Sequence, residues 1–268
     1  MNFFVKKDQI KNEKIFLTGS NYNHIKNVLR AKENEELNIV CPENNLFYVA
    51  VIKNFYEKEI ECDIIMKKNI DEEKLKITIY QALPKSDKME LIVQKCSEIG
   101  VDEIVPVEMK RCVVKLDEKD KSKKITRWQT IAEAAAKQSR REKILKIDKI
   151  QKIDDICKAS EENKYDLIFV AYEKENKTNL KEELNILKKI NKNNLNVAFI
   201  IGPEGGFEDD EIDKLIKSNV KSISLGKRIL RTETAPIVLS SILMYEIGDI
   251  GGNNGAEWSW KYTKRDKY

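Results

Sequence analysis

Histidine is almost absent from this chain of 268 residues, which contains only His24. A serine–histidine or cysteine–histidine pair would depend on that one residue, and a metal site built from several histidines is excluded. The five cysteines are scattered, and none forms a C-x-x-C pair. This pattern argues against a disulfide framework and against a zinc site. Any chemistry must then come from carboxylates, arginine, lysine, main-chain groups and a bound cofactor, with no metal.

Long apolar runs are also missing. No stretch approaches the length of a membrane span, and the apolar residues near Met1 are too few for a signal peptide. Hydrophobic residues make up 41% of the chain and charged residues 35%, which is typical of a soluble globular protein. We therefore expect a cytoplasmic protein without a membrane partner. The net charge of +4 favours a nucleic-acid partner only slightly.

Glycine is sparse too, and neither G-x-x-x-x-G-K-[ST] nor G-x-G-x-x-G occurs, so the common phosphate-binding signatures are excluded. Two glycine-bearing loops nevertheless stand out. The first loop reads Gly-Pro-Glu-Gly-Gly over residues 202–206. The second loop reads Leu-Gly-Lys-Arg-Ile-Leu-Arg-Thr-Glu-Thr-Ala over residues 225–235. Each one follows a short apolar run and precedes a helical pattern.

The first loop has the pattern of a ligand-binding turn. Residues 197–201 predict a strand that is buried on both faces, and the acidic residues 208–211 indicate the start of a helix. Glycines in such a turn let a ligand approach main-chain N–H groups. The unit is therefore strand, glycine turn and helix, and it predicts a site without defining a chemistry.

The second loop has the same pattern. Residues 223–225 end a predicted strand, and Thr232, Thr234 and Pro236 suit caps and first-turn positions. The helix that continues from Ile237 is apolar over much of its circumference and is predicted to be largely buried. Arg231 stands at the mouth of the turn, where a cation favours an anionic or carbonyl-bearing ligand. The alternative is that both loops are ordinary turns and Arg231 is a surface residue.

The first seventy or so residues predict a small barrel of short strands. Strand patterns cover 37–40, 46–52 and 60–66, and a short helix over 22–31 places Ile25, Val28 and Leu29 on one face. His24 on that helix is expected to be a local structural residue. The charged stretch 67–76 is predicted to be a linker to the next domain.

The rest of the chain predicts an α/β domain. A strand over 76–83, a helix over 88–99 capped by Gly100 and a strand over 101–107 form a βαβ unit, which favours a parallel sheet. Further patterns predict a charged loop over 115–124, a helix over 127–138, a buried strand over 165–171 and a charged helix with its linker over 176–196.

Taken together, the two loops closely resemble those of the SPOUT superfamily of S-adenosylmethionine-dependent RNA methyltransferases, and within it the ribosomal RNA small subunit methyltransferase E family. That family carries a GPEGG loop followed by an LG…LRTET loop. The run from His24 to Arg30 also matches the H-x-x-x-V-L-R signature of the family. Four positions of its K-G-D-R-M-E pattern match, namely Lys85, Asp87, Met89 and Glu90.

This chain departs from the family pattern at several positions. Ser86 and Lys88 replace the glycine and the arginine of K-G-D-R-M-E. In the helix over 127–138 and just beyond it, Ala134 stands at the family's glutamate position and Arg140 at its glycine position. Glu133, one position away, would face elsewhere on the helix, so no role is carried over for the glutamate.

The resemblance implies a fold class, an architecture and a reaction. Residues 1–72 would form a PUA-like RNA-binding β-barrel, residues 73–250 a SPOUT α/β domain with a parallel sheet and a C-terminal trefoil knot, and residues 251–268 a tail. Such knots are an exception to the usual topology of proteins. The protein would be a homodimer that methylates N3 of one uridine in the decoding region of 16S rRNA within the small ribosomal subunit.

The resemblance also implies site residues. Arg231 would stabilise the developing uracil anion, and Glu233 or Glu204 would accept the N3 proton. The residues implied to bind the cofactor S-adenosylmethionine are Ala171, Gly202, Pro203, Glu204, Gly205, Leu225, Gly226, Leu230 and Thr234, with Tyr172 as a further candidate. The residues implied to contact RNA are Arg30, Lys85, Arg111, Gln138 and Arg141.

Two alternatives stay open. In the first alternative, the chain is a catalytically silent RNA-binding or ribosome-assembly factor that uses the same surfaces. Such a protein would not need Arg231 together with both glycine loops. Otherwise it would be a SPOUT methyltransferase that acts on another RNA or on a ribose 2′-OH.

Overall fold

A computed structural model describes residues 1–190 and 192–251 of the chain. The expected tail, residues 251–268 with Trp258 and Trp260, lies outside the described residues apart from Gly251. The chain folds into two units. The N-terminal unit consists of Met1–Glu72 and Glu133–Ile144, and the C-terminal unit consists of Glu73–Ala132 and the described part of Leu145–Tyr268.

The N-terminal unit contains a six-stranded sheet with the order β1-β4-β5-β6-β3-β2. All of its pairings are antiparallel except that of β1 with β4. The predicted strands are present and are longer than their apolar patterns. The strands are β1 Asn2–Phe4, β2 Ile10–Lys11, β3 Lys14–Thr18, β4 Glu36–Cys41, β5 Leu46–Phe55 and β6 Glu59–Asn69.

The linker predicted over 67–76 is too long at both ends, because the next strand begins at Leu75. Strand β6 continues to Asn69, which pairs with Leu46 of β5. Exposed and partly buried residues alternate along the end of β6, so Lys67 lies on the exposed face and Lys68 on the partly buried face. The connection to the next strand is therefore confined to residues 70–74.

The predicted short helix of this unit is only partly regular. Helix α1 spans Gly19–Asn23, and a π-helix follows over His24–Leu29. Because π-helical winding changes the angular spacing of side chains, Ile25 is buried while Val28 and Leu29 are 66% and 46% exposed. The prediction placed these three residues on one face, but only Ile25 is buried. His24 packs edge-on against Phe3, as expected for a local structural residue.

The C-terminal unit contains a seven-stranded sheet with the order β10-β8-β7-β12-β11-β13, and β9 also pairs with β8. Every pairing is parallel, which confirms the predicted parallel sheet. The strands are β7 Leu75–Ala82, β8 Glu103–Glu108, β9 Lys146–Ile147, β10 Gln151–Lys152, β11 Leu167–Ala171, β12 Leu195–Ile201 and β13 Lys221–Ile223. The second loop thus begins slightly after its strand, since β13 ends at Ile223.

Further helices in the described part of this chain connect the strands: α2 Lys88–Ile99, α3 Glu118–Gln138, α4 Ile153–Glu161, α5 Leu180–Leu187, α6 Asp209–Lys217 and α7 Thr234–Glu246. None of the helices among the described residues is long and apolar enough to cross a membrane. Gly100 ends α2 with a φ of 117°, which confirms the predicted cap.

Two helix predictions need correction. The charged run 115–124 is not all loop, because α3 begins at Glu118, where the Asp117 carboxylate accepts a hydrogen bond from the Asp120 N–H at 2.8 Å. Helix α7 buries Leu239 and Leu243, but Tyr245 on the same helix is 67% exposed. The helix therefore keeps an open face despite its apolar composition.

Candidate active site

A pocket of about 530 Å³ lies beyond the carboxyl ends of the parallel strands. Strand β12 lies between β7 and β11, so the first loop emerges beside the ends of both neighbours. This is the edge at which open parallel sheets bind their ligands. The lining residues are Lys88, Ala171, Tyr172, Glu173, Ile201, Gly202, Pro203, Glu204, Gly205, Gly206, Phe207, Ser224, Leu225, Gly226, Lys227, Arg228, Ile229, Leu230, Arg231, Thr232 and Ala235.

Close packing explains Gly202 and Gly205 of the first loop, whereas Gly206 has a left-handed φ of 71°. A Cβ atom on Gly202 would lie 2.7 Å from the Phe207 ring, and one on Gly205 would lie 3.2 Å from Cβ of Arg111. The Arg111 guanidinium donates hydrogen bonds to Gly205 O at 3.0 Å and to both Glu208 carboxylate oxygens. The hydrogen bonds to Glu208 raise the pKa of Arg111 further above its ordinary value. The contacts of Arg111 with Gly205 and Glu208 thus hold the first loop in place.

The second loop is more open. Gly226 has a φ of 101°, and a Cβ atom there would meet no atom within 4 Å, so its backbone conformation alone favours glycine. Ile229 is 85% exposed although it lines the pocket. Arg231 is exposed at the pocket wall and forms no ion pair within the part of the chain that the structure describes. Its guanidinium is therefore available to a ligand.

A buried hydrogen-bond chain links the sheet to both loops. The Gln81 amide on β7 donates to Thr232 Oγ1 at 3.0 Å, and Thr232 Oγ1 donates to Gly202 O at 2.8 Å. Gln81 is fully buried and Thr232 is 6% exposed. These hydrogen bonds tie the two loops to each other and to β7. Two features of the sequence indicate this link: Gln81 is a polar residue within a strand that is otherwise mostly apolar, and Thr232 lies where a helix cap was predicted.

An ion-pair cluster forms a second link between the loops. Lys88 Nζ lies 2.9 Å from Oε1 of Glu204 in the first loop and 3.2 Å from Oε2 of Glu233 in the second loop. The main-chain N–H of Lys85 also donates to Glu204 Oε1, at 3.1 Å. Lys88 is the first residue of α2. Sequence reasoning noted it only as a replacement for the family arginine and assigned it no role.

These contacts shift the ionisation of the cluster. Burial by itself would raise the pKa of Glu204, but the hydrogen bonds from Lys88 and from main-chain N–H groups lower it overall. The hydrogen bond to Glu204 raises the pKa of Lys88, against the opposing effect of its burial. At neutral pH Lys88 is therefore a cation and Glu204 a carboxylate.

The structure places most predicted cofactor residues in the pocket wall. Ala171, Tyr172, Gly202, Pro203, Glu204, Gly205, Leu225, Gly226 and Leu230 all line it, as does Arg231, which was predicted to be catalytic. Glu233 lies behind the wall beside Lys88, and Thr234 begins α7. Of the predicted RNA contacts, Lys85 and Arg111 flank the first loop, whereas Arg30, Gln138 and Arg141 belong to the N-terminal unit.

Both glycine departures from the family pattern lie at left-handed backbone positions. Ser86 has a φ of 56°, and Arg140 has a φ of 61°. This is the conformation that glycine adopts without the steric cost of a Cβ atom. The glycines of the family pattern are thus explained by backbone geometry. Arg30 also adopts a left-handed conformation, at the end of the π-helix.

Comparisons with known proteins agree with this architecture. A family model described as RNA methyltransferase domain matches residues 71–244, and one described as RNA methyltransferase PUA domain matches residues 17–65. Ribosomal RNA small subunit methyltransferase E of Bacillus subtilis is 31% identical over 242 residues, which are 90% of this chain and 93% of that protein.

Solved structures are also similar. A Legionella pneumophila protein in complex with the bound cofactor S-adenosylmethionine is 30% identical, with a TM-score of 0.79 over 93% of this chain and 98% of that chain. Ribosomal RNA small subunit methyltransferase E of Neisseria gonorrhoeae bound to S-adenosylmethionine is 26% identical, with a TM-score of 0.76 over the same shares. The expected cofactor is thus confirmed for the family. From the matched domain and the similarity across nine-tenths of its length, the chain belongs to the ribosomal RNA small subunit methyltransferase E family.

Proposed function

We propose that this protein binds S-adenosylmethionine in the pocket between its glycine loops and methylates N3 of one uridine in the decoding region of 16S rRNA, acting on the small ribosomal subunit in the cytoplasm. The observation that carries the proposal is one pocket formed by both loops, with the guanidinium of Arg231 at its wall. Family membership supports the RNA substrate, and the uridine and its N3 position follow from the family resemblance alone.

The pocket residues suit this cofactor. The volume of the pocket lies within the range of about 300–1,000 Å³ that small-molecule sites occupy. Leu225, Ile229 and Leu230 offer apolar surface to an adenine ring, and the glycines of both loops expose main-chain groups to polar atoms. Glu173 and Glu204 bring carboxylates to the wall, where Glu204 is paired with Lys88. When bound, S-adenosylmethionine supplies an activated methyl group, so neither a metal nor a covalent nucleophile is required.

The chain's own residues then have two tasks. Uracil N3 carries a proton at neutral pH, and removal of that proton leaves negative charge on the carbonyl oxygens. Arg231, which has no ion-pair partner among the described residues, is placed to stabilise this charge. Glu233 and Glu204 are the candidate proton acceptors, and the hydrogen bonds that lower the pKa of Glu204 make that carboxylate a weaker base.

RNA contacts are proposed on both units. Arg30, Gln138 and Arg141 would bind RNA from the N-terminal unit, which contains the matched PUA domain. Lys85 and Arg111 would contact RNA beside the pocket, where Lys85 is exposed. Because Arg111 already holds Glu208 and Gly205, its contribution to RNA binding would come mainly through the shape of the first loop.

The same proposal includes a homodimer, a trefoil knot in the C-terminal segment and closure of the N-terminal sheet into a PUA-like barrel. Exposed apolar residues near the pocket and on α7 support a protein interface there, since Ile229 and Tyr245 are 85% and 67% exposed. The tail 251–268 is given no role.

Transfer of a tritiated methyl group from S-adenosylmethionine to small subunits tests the proposal. The subunits come from a strain without the endogenous enzyme, and mass spectrometry identifies the labelled nucleoside. We expect N3-methyluridine in 16S rRNA. Cofactor binding without transfer would indicate a different RNA or a ribose 2′-OH as the target. Absence of cofactor binding would favour a silent RNA-binding or ribosome-assembly factor.

A further inference from the structure

Lys88 lies in an unusual place for a lysine. It is the first residue of α2, where the positive end of the helix dipole opposes a cation. Its side chain is only 29% exposed and forms part of the pocket wall. A partly buried cation at a helix N-terminus needs compensation, and two carboxylates from different loops provide it.

The position of Lys88 also reduces the repulsion between the carboxylates of Glu204 and Glu233. Glu204 and Glu233 have side chains that are 24% and 15% exposed, and both approach one point from opposite loops. Without a cation between them their charges would repel in a partly desolvated setting. The ammonium group of Lys88 offsets this repulsion and so favours the present separation of the two loops. The hydrogen-bond chain through Thr232 ties the same two loops together from the side of the sheet.

We propose that Lys88 is a positioning residue of the cofactor pocket: its ammonium group, held between Glu204 and Glu233, keeps the two glycine loops at the spacing that binds the cofactor. The inference rests on the proposed function, because it takes S-adenosylmethionine as the ligand. It goes further by assigning the pocket's geometry to an ion-pair link that spans both loops. Glu233 is then oriented by Lys88 before any RNA arrives.

The test measures dissociation constants by calorimetry for two probes, S-adenosylmethionine and S-adenosylhomocysteine, which lacks the sulfonium charge. The variants are Lys88→Met and Lys88→Arg. Lys95→Met is the matched control, because Lys95 lies on the same helix and its ion pair with Glu98 is remote from the pocket lining. Thermal unfolding without ligand shows whether each variant is folded.

We expect Lys88→Met to weaken both probes by a similar factor of about ten or more, as for other coupled neighbours. Lys88→Arg should restore most of the affinity, because guanidinium also pairs with carboxylates. Adding Glu233→Gln to Lys88→Met should recover part of the lost affinity, since it removes the repulsion between the loops. Lys95→Met should bind both probes like the unchanged protein.

Other results would overturn the inference. Unchanged affinity in folded Lys88→Met would show that the link does not set the pocket. Tighter binding of S-adenosylmethionine alone would show that Lys88 acts on the sulfonium charge instead. If Lys88→Met does not fold, Lys88→Gln repeats the comparison, because it keeps a hydrogen-bond donor without the charge. Failure of the unchanged protein to bind either probe would instead overturn the proposed function, and the inference with it.

Discussion

At the scale of single residues, Arg231 is the side chain whose removal should affect chemistry most directly. Arg231→Ala should lower the methyl-transfer rate at saturating cofactor by about 10² to 10³ fold, the cost of losing one donor to a developing anion. Cofactor affinity should change little, because the predicted cofactor contacts are mainly main-chain groups. Single-turnover transfer to small subunits measures the rate. Arg127→Ala, which removes a guanidinium paired with Glu90 outside the pocket lining, is the control. A normal rate would remove Arg231 from the mechanism.

The backbone conformation of Ser86 has a steric cost that glycine would avoid. Because its φ of 56° is left-handed, Ser86→Gly should raise the free energy of unfolding by about 1 kcal/mol. Denaturant unfolding of the whole protein measures the change. Asp87→Gly is the matched comparison. Because Asp87 has a φ of −90°, glycine there brings only added backbone freedom in the unfolded chain and should lower the free energy of unfolding. Equal effects at both positions would contradict the backbone explanation.

Glu61 in the N-terminal sheet gives a pH-dependent test. Hydrogen bonds from Lys14, Asn54 and Tyr56 lower the pKa of this carboxyl from 4.5 to about 2. Because the folded-state pKa lies below the unfolded value, the carboxylate stabilises the fold above pH 4.5. That stabilisation is lost as the pH falls towards 2. Glu61→Gln should therefore destabilise the protein at pH 7 more than at pH 3 in denaturant titrations.

At the scale of elements, the glycines of the two loops should respond differently to alanine. In Gly202→Ala the new Cβ atom would meet the Phe207 ring at 2.7 Å, so either the buried ring or the first loop must shift. In Gly226→Ala the Cβ atom has room, and only the left-handed backbone is strained. We expect Gly202→Ala to abolish measurable cofactor binding, and Gly226→Ala to cost about 1–2 kcal/mol of stability with binding retained. Calorimetry and thermal unfolding separate the two effects.

A second substitution can check the steric cause. Phe207→Leu removes the ring atoms that the new Cβ atom would meet, so adding it to Gly202→Ala should recover part of the lost cofactor binding. Phe207→Leu alone should bind more weakly than the unchanged protein, because Phe207 lines the pocket and packs edge-on against Tyr172. If the double variant binds no better than Gly202→Ala, the clash is not the reason for the glycine.

Much of the element pattern is readable from the sequence. Apolar runs predicted β7 and β12, because burial on both faces leaves a continuous apolar signal. The helical spacing of apolar residues predicted α2. The start of α3 was missed because charged side chains hide helical periodicity, although Asp117 is a good cap. The two loops were found from their amino-acid motifs. Their links through Lys88 and Thr232 were not, because contacts between distant residues leave no local pattern.

At the scale of the whole molecule, the division into two units sets a limit on what the cofactor can stabilise. Every pocket-lining residue belongs to the C-terminal unit, whereas the N-terminal sheet packs around its own core of buried side chains such as Ile39 and Ile52. Ligand binding stabilises only the structure whose unfolding destroys the site. The same ligand should therefore protect the two sheets unequally.

Hydrogen exchange with and without S-adenosylmethionine tests this expectation. At a free concentration of one hundred times its dissociation constant, the cofactor adds about 2.7 kcal/mol to the stability of the unit that binds it. Core amides of β7 and β12 should then exchange up to about a hundred times more slowly, while those of β4 and β5 keep their rates. S-adenosylhomocysteine should give the same pattern if the pocket recognises the shared adenosyl group. Equal slowing of both sheets would mean that the two units open together, and that binding in the C-terminal unit stabilises the entire chain.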